Sequence, residues 1–279
     1  MKYILAIAGS DSCGGAGIQA DIKTITSLGA HALTVLTVVT AQNSLGVTAI
    51  HKVPARFIST QIETLIEDIV PDAVKIGMVY SARAIEEIAR LVVKHKLSQV
   101  VVDPVIIAST GRRLIEPEAI FLLKEVLLPV ANVVTPNLYE AGILAGMEVK
   151  DLKGMMESAK LIKAMGPDVV ITGGHMRGRC VDLLHDGKDF YQFLGSKIAT
   201  PHTHGSGCVF STALATLLAK QKDVIKATKS AHDFTRRAIM HAYVCGHGAG
   251  PVQPGYSVRP RPSGRKESAF KSTSLDKID

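Results

Sequence analysis

Residues 3–28 read YILAIAGSDSCGGAGIQADIKTITSL and contain the pattern that decides the fold. A continuous apolar run (3–8) ends in a glycine-rich loop (9–17), and apolar residues with helical spacing follow (17–28). A strand that is apolar at nearly every position is typical of a parallel sheet buried on both faces. The stretch therefore predicts the first strand, loop and helix of an α/β domain.

The same alternation of strand and helix recurs along the chain. The predicted strands are 3–8, 33–40, 73–76, 99–102, 132–134 and 168–171. The predicted helices are 17–28, 54–69, 82–95, 117–127, 137–145, 152–165, 208–219 and 224–244. This order predicts a mostly parallel central sheet with helices on both faces. Two short alternating runs around Asp186-Gly187, between 179 and 194, add a small antiparallel edge.

The chain of 279 residues is long enough for one large α/β domain, which we assign to residues 1–255. After residue 255 the sequence is polar and has no apolar period, so 256–279 is predicted to be a flexible basic tail. No apolar run approaches the roughly 18 residues that a membrane helix needs. Residues 3–8 are too short for a signal peptide, so we expect a cytoplasmic protein.

Composition narrows the possible partners. The net charge is +7 and aromatic residues make up only 5% with no Trp, which suits a small anionic substrate better than nucleic acid. The four cysteines show no CxxC spacing, which argues against a zinc cluster and against a disulfide framework.

The first glycine loop, 9–17, fits neither of two common nucleotide-binding motifs. A Walker A loop requires Lys and then Ser or Thr after its last glycine, and neither follows here. Residues 15–20 match GxGxxA, but 22–62 contains no carboxylate to bind a ribose, so NAD is disfavoured. A flexible turn before a helix remains possible. Asp21 falls among the apolar residues of that helix, so it needs either a structural partner or a ligand.

The second glycine loop, THGSGC at 203–208, directly precedes a predicted helix. Free amides and the positive end of the helix dipole make such a terminus suited to a phosphoryl group. Cys208 lies at the helix start, where the dipole favours a thiolate, although a buried structural cysteine is the commoner case.

Further candidate residues follow predicted strands. Asp103 ends one strand and is suited to Mg²⁺, although an ordinary turn residue would look the same. Asn137 and Glu140 have capping-box spacing, which a purely structural helix start explains. The tight loop Gly173-Gly174-His175 indicates little by itself.

Taken together, these pieces resemble the hydroxymethylpyrimidine/phosphomethylpyrimidine kinases of thiamin biosynthesis, in the ribokinase-like superfamily. The resemblance covers residues 4–252. It rests on AGSDSCGGAGIQADIKT (8–24), TAQNSLGV (40–47), KIGM (75–78), VVDPV (101–105), TPNLYEA (135–141), GGH (173–175) and THGSGC (203–208).

The resemblance implies a single ribokinase-like domain that transfers the γ-phosphoryl group of ATP. The acceptor would be 4-amino-5-hydroxymethyl-2-methylpyrimidine and then its monophosphate, with Mg²⁺ as cofactor and a homodimer as assembly. In the implied site, Cys208 is the base and lies within an anion hole of Gly205, Ser206 and Gly207. The pyrimidine would contact Asp21, Gln42, Met78 and Val105, and the phosphates or ATP would contact Asn137, Thr172, Gly174 and Thr203. Mg²⁺ would bind beside Asp103 and Glu140.

Two departures from the family pattern affect the interpretation. Ser12-Cys13 replaces the commoner Pro-Ser, and Thr172 stands where many relatives carry Lys. The absent positive charge bears on the rates of the two phosphorylations. Two alternatives stay open. One is a kinase of pyridoxal or pyridoxine, because the same superfamily and a similar Cys-containing anion hole serve both substrates, and the other is a ligand sensor that has lost turnover, as the missing Lys would allow. Gln42 favours the aminopyrimidine, because its amide complements a ring nitrogen beside an amino group.

Overall fold

The computed structural model describes residues 1–108, 111–174, 180–257 and 275–278. Its centre is a ten-stranded sheet with the order β10-β9-β8-β7-β6-β5-β4-β1-β2-β3. The strands are β1 (Tyr3–Asp11), β2 (His31–Asn43), β3 (Gly46–Lys52), β4 (Ala73–Ile76), β5 (Val100–Val102), β6 (Val133–Val134), β7 (Asp168–Ile171), β8 (Cys180–His185), β9 (Phe190–Gly195) and β10 (Leu275–Ile278). Strands β2, β1, β4, β5, β6 and β7 are parallel neighbours, and the outer strands pair antiparallel.

Helices cover both faces of this sheet. They are α1 (Gly17–Ser27), α2 (Ala55–Asp68), α3 (Ala82–Lys94), α4 (Pro117–Leu122), α5 (Leu138–Ala145), α6 (Leu152–Lys163), α7 (Ser206–Gln221) and α8 (Val224–Met240). Helices α2 to α6 pack on one face, and α1, α7 and α8 pack on the other. Side chains of β1 alternate between the two cores, with Leu5 and Ile7 in one and Ile4 and Ala6 in the other. The predicted single α/β domain with a mostly parallel sheet is confirmed.

The antiparallel strands divide into one group that the sequence predicts and two strands that it does not. The hairpin of β8 and β9 turns at Asp186-Gly187 as predicted. Strand β3 was not predicted, because its residues are mostly exposed and give no continuous apolar run. The predicted helix 117–127 is α4 followed by a π-helical turn at Leu123–Leu127.

Parts of the predicted tail have regular structure. The ring of Tyr256 lies 5.7 Å from that of Phe234 and 5.3 Å from that of His241, between centroids. Strand β10 pairs with β9, whose outer backbone groups would otherwise form an open sheet edge. These residues therefore have regular structure within the predicted tail, whose flexibility stays a prediction, while 258–274 and 279 lie outside the described residues. Within the described ranges, no helix is long and apolar enough to span a membrane.

Candidate active site

A cavity of about 1190 Å³ opens where the parallel strands end. It is bounded by the last residues of β1 and β2 and by the loops that follow β5, β6 and β7. This is the edge at which open α/β sheets bind ligands. The start of α7 and one face of α8 complete its wall. Every predicted site residue except Asp21 lines this cavity.

The two glycine loops pack against each other at the centre of the wall. Gly205 has a φ of +79°, and a Cβ there would overlap the carbonyl oxygen of Gly15. Gly17 has a φ of +55°, and its Cβ would overlap the carbonyl oxygen of Gly9. Both positions accept only glycine without displacing backbone, because a side chain would collide and the φ is unfavourable. Gly205 therefore allows the two loops to come into contact, and Gly17 allows the first loop to fold back on its own start.

Asp11 fixes the first loop and joins it to the second. Its carboxylate accepts hydrogen bonds from the amides of Cys13, Gly15 and Ala16 at 2.8–3.1 Å. Nε2 of His204 lies 2.9 Å from its Oδ2. Burial raises the pKa of Asp11, but these contacts outweigh burial and hold it below its ordinary value. Neither Asp11 nor His204 was predicted, although both stand inside the quoted motifs.

Helix α7 presents its N-terminus to the cavity. Gly205 is its N-cap residue, and Ser206, Gly207 and Cys208 form its first turn and line the cavity. The first amides of an α-helix have no acceptor within the helix, so this end attracts anions. The predicted anion hole thus lies where a transferring phosphoryl group would be surrounded by the other candidate residues.

Cys208 lies in the cavity wall as a thiol rather than a thiolate. Burial raises its pKa to about 12, and the charges of Asp103 and Asp21 add to the rise. The charge of Lys75 opposes burial and is the second-largest influence, and the amide of Gly17 lowers the pKa less. The raised pKa runs against the thiolate that the helix dipole alone would favour, and the catalytic role of Cys208 stays a prediction.

Asp21 lies beneath the cavity wall. Its carboxylate oxygens are 3.0 and 3.1 Å from Nζ of Lys75, and Thr212 Oγ1 donates to Oδ1 at 2.6 Å. The side chains of Asp21 and Lys75 are fully buried. Burial would lower the pKa of Lys75, but the carboxylate of Asp21 raises it above its ordinary value. Asp21 thus has structural partners and does not line the cavity, and its contact with the pyrimidine stays a prediction.

Lys75 itself lines the cavity and was not predicted as a site residue. The available signal was its position in β4, where a charged residue interrupts a strand otherwise made of Ala, Val and Ile. A lysine in such a strand needs a buried partner, because an unpaired charge in the core is strongly destabilising.

Two carboxylates occupy the side of the cavity next to β5 and α5. Ser211 Oγ donates to Asp103 Oδ2 at 2.9 Å. Glu140 forms the predicted capping box with Asn137 and also accepts from the amide of Ile106 at 3.3 Å. Burial raises the pKa of Glu140 to about 8, and the negative charge of Asp103 contributes. Two buried carboxylates that repel each other suit a divalent cation completed by water and phosphate oxygens.

Asp103 and Glu140 fit the way in which Mg²⁺ usually binds, through one or two carboxylates together with waters and substrate phosphates. In the described part of the chain, no group of three or more His, Cys, Asp or Glu residues is arranged to hold a metal ion.

The predicted pyrimidine residue Gln42 and the predicted phosphate residues Thr172 and Gly174 lie at opposite ends of the parallel part of the sheet, at β2 and after β7. Gln42, Met78 and Val105 line the cavity near β2, and Gln42 Nε2 is 3.4 Å from Nε2 of His204. Thr172 and Gly174 follow β7, and Thr203 and Asn137 also line the cavity. His175 lies outside the described residues.

A polar group beyond the phosphate residues was missed by sequence reasoning. Asp182 on β8 and His232 on α8 both line the cavity, and their Oδ2 and Nδ1 atoms are 2.6 Å apart. Neither residue belongs to a recognisable motif. Only their meeting across the fold distinguishes them from ordinary core residues.

Known proteins share both the sequence and the fold. Thiamine biosynthesis bifunctional protein ThiED of Geobacter sulfurreducens is 44% identical over 251 residues, or 89% of this chain and 51% of that protein, so the chain spans about half its length. Hydroxymethylpyrimidine/phosphomethylpyrimidine kinase of Bacillus subtilis is 43% identical over 251 residues, which are 89% of this chain and 93% of that enzyme.

A solved structure is similar in the same way. The ADP complex of Bacillus subtilis pyridoxal kinase has a TM-score of 0.87 and 38% identity, and the match covers 92% of this chain and 99% of that one. This likeness agrees with the ribokinase-like domain that the motifs imply. The family model described as phosphomethylpyrimidine kinase matches residues 11–253. With its motifs, sheet order and relatives in agreement, the chain belongs to the phosphomethylpyrimidine kinase family.

Proposed function

We propose that the protein transfers the γ-phosphoryl group of ATP to 4-amino-5-hydroxymethyl-2-methylpyrimidine and then to its monophosphate. The observation that carries this proposal is that the α7 N-terminus lines one cavity with Gln42, at the β2 side of the sheet, and with Asp103 and Glu140, which follow β5 and β6. An acceptor beside Gln42 and a triphosphate beside the two carboxylates would meet at the free amides of Gly207 and Cys208.

The amides at the start of α7 stabilise the transferring group. Phosphoryl transfer passes through a loose transition state, so positioning and charge stabilisation supply most of the catalysis. Gly205, Ser206 and Gly207 bring the backbone close to the phosphoryl oxygens, because they have no side chain or a small one. Cys208, which retains its proton at neutral pH, orients the acceptor hydroxyl rather than removing its proton in the resting state.

Asp103 and Glu140 would hold Mg²⁺, whose charge neutralises the phosphates when it is bound. Asn137 Oδ1 accepts from the amide of Glu140 at 3.0 Å, and the amide of Asn137 donates to Glu140 Oε2 at 2.9 Å, which fixes the position of the Glu140 carboxylate. Thr172, Gly174 and Thr203 contact the phosphates in this proposal. Thr172 contributes a hydroxyl but no positive charge, in contrast to the lysine of many relatives.

Gln42 reads the aminopyrimidine edge. A carboxylate only accepts hydrogen bonds, so the hydrogen between Asp11 and His204 belongs to the ring Nε2. That nitrogen then offers no lone pair to Gln42 Nε2, 3.4 Å away. The Gln42 amide hydrogens are therefore available to the substrate. Met78 and Val105 supply apolar contacts beside it.

A kinase of pyridoxal is the second candidate, and the similarity to the Bacillus subtilis pyridoxal kinase favours it. Pyridoxal lacks the 4-aminopyrimidine edge, so the two candidates differ in what Gln42 contributes. The test is mass spectrometry of the products from each alcohol with ATP and Mg²⁺, resolving mono- from diphosphate. Turnover of pyridoxal alone would reject the proposal in favour of the second candidate, and absence of any product would favour a ligand sensor.

Gln42→Leu sharpens this test, because leucine has a similar size but cannot form the paired hydrogen bonds. We expect the Kd for the aminopyrimidine to rise about tenfold, equivalent to about 1.4 kcal/mol, with the Kd for ATP unchanged. Calorimetric titration with both ligands measures this. Unchanged aminopyrimidine affinity in the folded variant would remove Gln42 from the site.

The homodimer implied by the resemblance is also part of this proposal. Sedimentation equilibrium of the full chain tests it, and a monomer at every concentration would contradict it.

A further inference from the structure

One face of α8 carries buried polar atoms without partners. They are Nε2 of His232, Oγ1 of Thr235 and Nε of Arg236, three of the five buried side-chain polar atoms that lack a hydrogen bond among the described residues. The spacing of three and four residues places all three side chains on the same side of the helix. All three residues line the cavity. Unpaired buried polar atoms are rare in folded proteins, so their clustering here indicates a ligand.

Asp182 determines what His232 offers to such a ligand. Its Oδ1 accepts from the amide of Gly173 at 2.9 Å, and its Oδ2 lies 2.6 Å from Nδ1 of His232. A carboxylate cannot donate, so the shared hydrogen belongs to Nδ1. In the neutral ring Nε2 is then an acceptor without a donor. The His232 side chain is 1% exposed, and no described residue supplies that donor.

The position of the pair indicates which part of a ligand it meets. Gly173 lies between Thr172 and Gly174, the two residues proposed to contact the phosphates. Asp182 therefore holds the phosphate loop with one oxygen and orients His232 with the other. Gln42, which is proposed to contact the pyrimidine, lies on β2 at the other end of the parallel strands, whereas β8, which carries Asp182, lies beyond β7. The His232 end is thus the end at which the base of a nucleoside triphosphate would lie.

We propose that His232 Nε2 accepts a hydrogen bond from the 6-amino group of the purine base, so that the Asp182–His232 pair selects adenine over 6-keto purines. This inference rests on the proposed function, which requires a nucleoside triphosphate in the same cavity. A 6-keto purine would turn a carbonyl oxygen toward Nε2, and two acceptors cannot form a hydrogen bond. We expect the Kd for ITP to exceed that for ATP by about tenfold.

Asp182→Asn tests the pair by reversing its hydrogen bond. The amide of Gly173 still requires an acceptor, so the asparagine oxygen stays there and its NH₂ group faces Nδ1. The ring hydrogen then moves to Nε2, which becomes a donor that matches the carbonyl of ITP. We expect the preference for ATP over ITP to fall to unity or to reverse, while the Kd for the aminopyrimidine stays unchanged.

Calorimetric Kd values for ATP and ITP are the primary measurement, because they do not depend on turnover. Asp189→Asn is the matched control, since Asp189 lies at the same hairpin but outside the cavity lining and should leave the ratio unchanged. His232→Gln is the second variant, and its amide, which both donates and accepts, should bring the ratio near unity.

Equal affinity of the wild type for ATP and ITP would overturn the inference. An unchanged ratio in Asp182→Asn, with both nucleotides weakened together, would assign the pair a structural role instead. If Asp182→Asn fails to fold, an unchanged ratio in His232→Gln would overturn the inference by itself. Selective ATP binding without any product would contradict the proposed function but support this inference, so the two failures are distinguishable.

Discussion

The pair of Asp21 and Lys75 and the pair of Asp182 and His232 are both buried, but they differ in how completely their polar atoms are used. Both oxygens of Asp21 contact Lys75, and Thr212 donates to one of them. Asp182 is equally occupied, by Gly173 and His232. The partner His232, however, keeps one ring nitrogen without a hydrogen bond at the cavity wall.

This difference separates a structural pair from a binding pair. In Asp21–Lys75, which we call the closed pair, each charge has a counter-charge, and the pair stabilises the contact between β4, α1 and α7. In Asp182–His232, which we call the open pair, Nε2 of His232 makes no hydrogen bond. An unpaired buried polar atom is destabilising unless a ligand supplies its partner. Burial alone therefore does not distinguish core residues from site residues, whereas the accounting of donors and acceptors does.

The largest effect is expected from opening the closed pair. Lys75→Met leaves the Asp21 carboxylate buried without a counter-charge, and we expect the free energy of unfolding to fall by about 3–5 kcal/mol. Urea denaturation measures this. Combining Lys75→Met with Asp21→Leu should recover most of the loss, because an apolar replacement of a buried pair is often neutral.

Lys94→Met provides the matched control for this variant. Lys94 pairs with Glu63 at 2.6 Å, but its side chain is 53% exposed, so its removal should change stability little. A loss as small in Lys75→Met as in Lys94→Met would show that the closed pair contributes no more than a surface ion pair.

A third pair, Asp11 and His204, is intermediate in exposure between the buried pair Asp21–Lys75 and the surface pair Glu63–Lys94, since His204 is 14% exposed. We expect Asp11→Asn to lower the free energy of unfolding by about 1.5–3 kcal/mol at pH 7. A carboxyl group whose pKa is lowered by folding stabilises the fold above its ordinary value of 3.8 and loses this contribution as pH falls through the lowered value. The difference from the wild type should therefore shrink below about pH 3.8.

Urea denaturation at pH 7 and at pH 3 measures this change. Asp186→Asn is the control, because its carboxylate also accepts backbone amides but, among the described residues, forms no hydrogen bond with a histidine and is influenced by His185 only through charge. A difference between wild type and Asp11→Asn that stays constant with pH would mean that the Asp11 charge does not stabilise the loops.

The pKa of Cys208 reports how strongly the charge of Lys75, a member of the closed pair, influences the neighbouring cavity wall. Lys75 is the main influence that lowers the Cys208 pKa, yet that pKa remains at about 12. Because a thiol that keeps its proton is not a general base, Cys208→Ser should retain kcat within about tenfold of the wild type. Steady-state kinetics from pH 6 to 9 measures this. A loss of a hundredfold or more, with a lost pH limb, would restore the general-base role.

The smallest effect is expected at the C-terminal strand, which contains no buried pair. Truncation after Ser257 removes β10 and the ion pair of Lys277 with Asp189 at 2.9 Å, in which Lys277 is 52% exposed. We expect the Tm to fall by less than about 4 °C and kcat to stay unchanged. Thermal denaturation and kinetics of the truncated chain check this, and a large loss of turnover would place the strand in the function of the site.

The sequence by itself determined the parallel α/β domain, the two glycine loops and the family. Each depends on local patterns: apolar runs fix buried strands, and motifs such as 8–24 and 203–208 persist without reference to the rest of the chain. The capping box of Asn137 and Glu140 was also predictable, because its partners are three residues apart.

The tertiary structure decided which polar residues meet and in what state. Asp21 and Lys75 are 54 positions apart, and Asp11 and His204 are 193 apart, so no local pattern joins them. The protonation of Cys208 depends on burial, which the helix position alone does not give. The open nitrogen of His232 arises only where β8 and α8 meet, because desolvation and hydrogen-bond partners are properties of the packed chain.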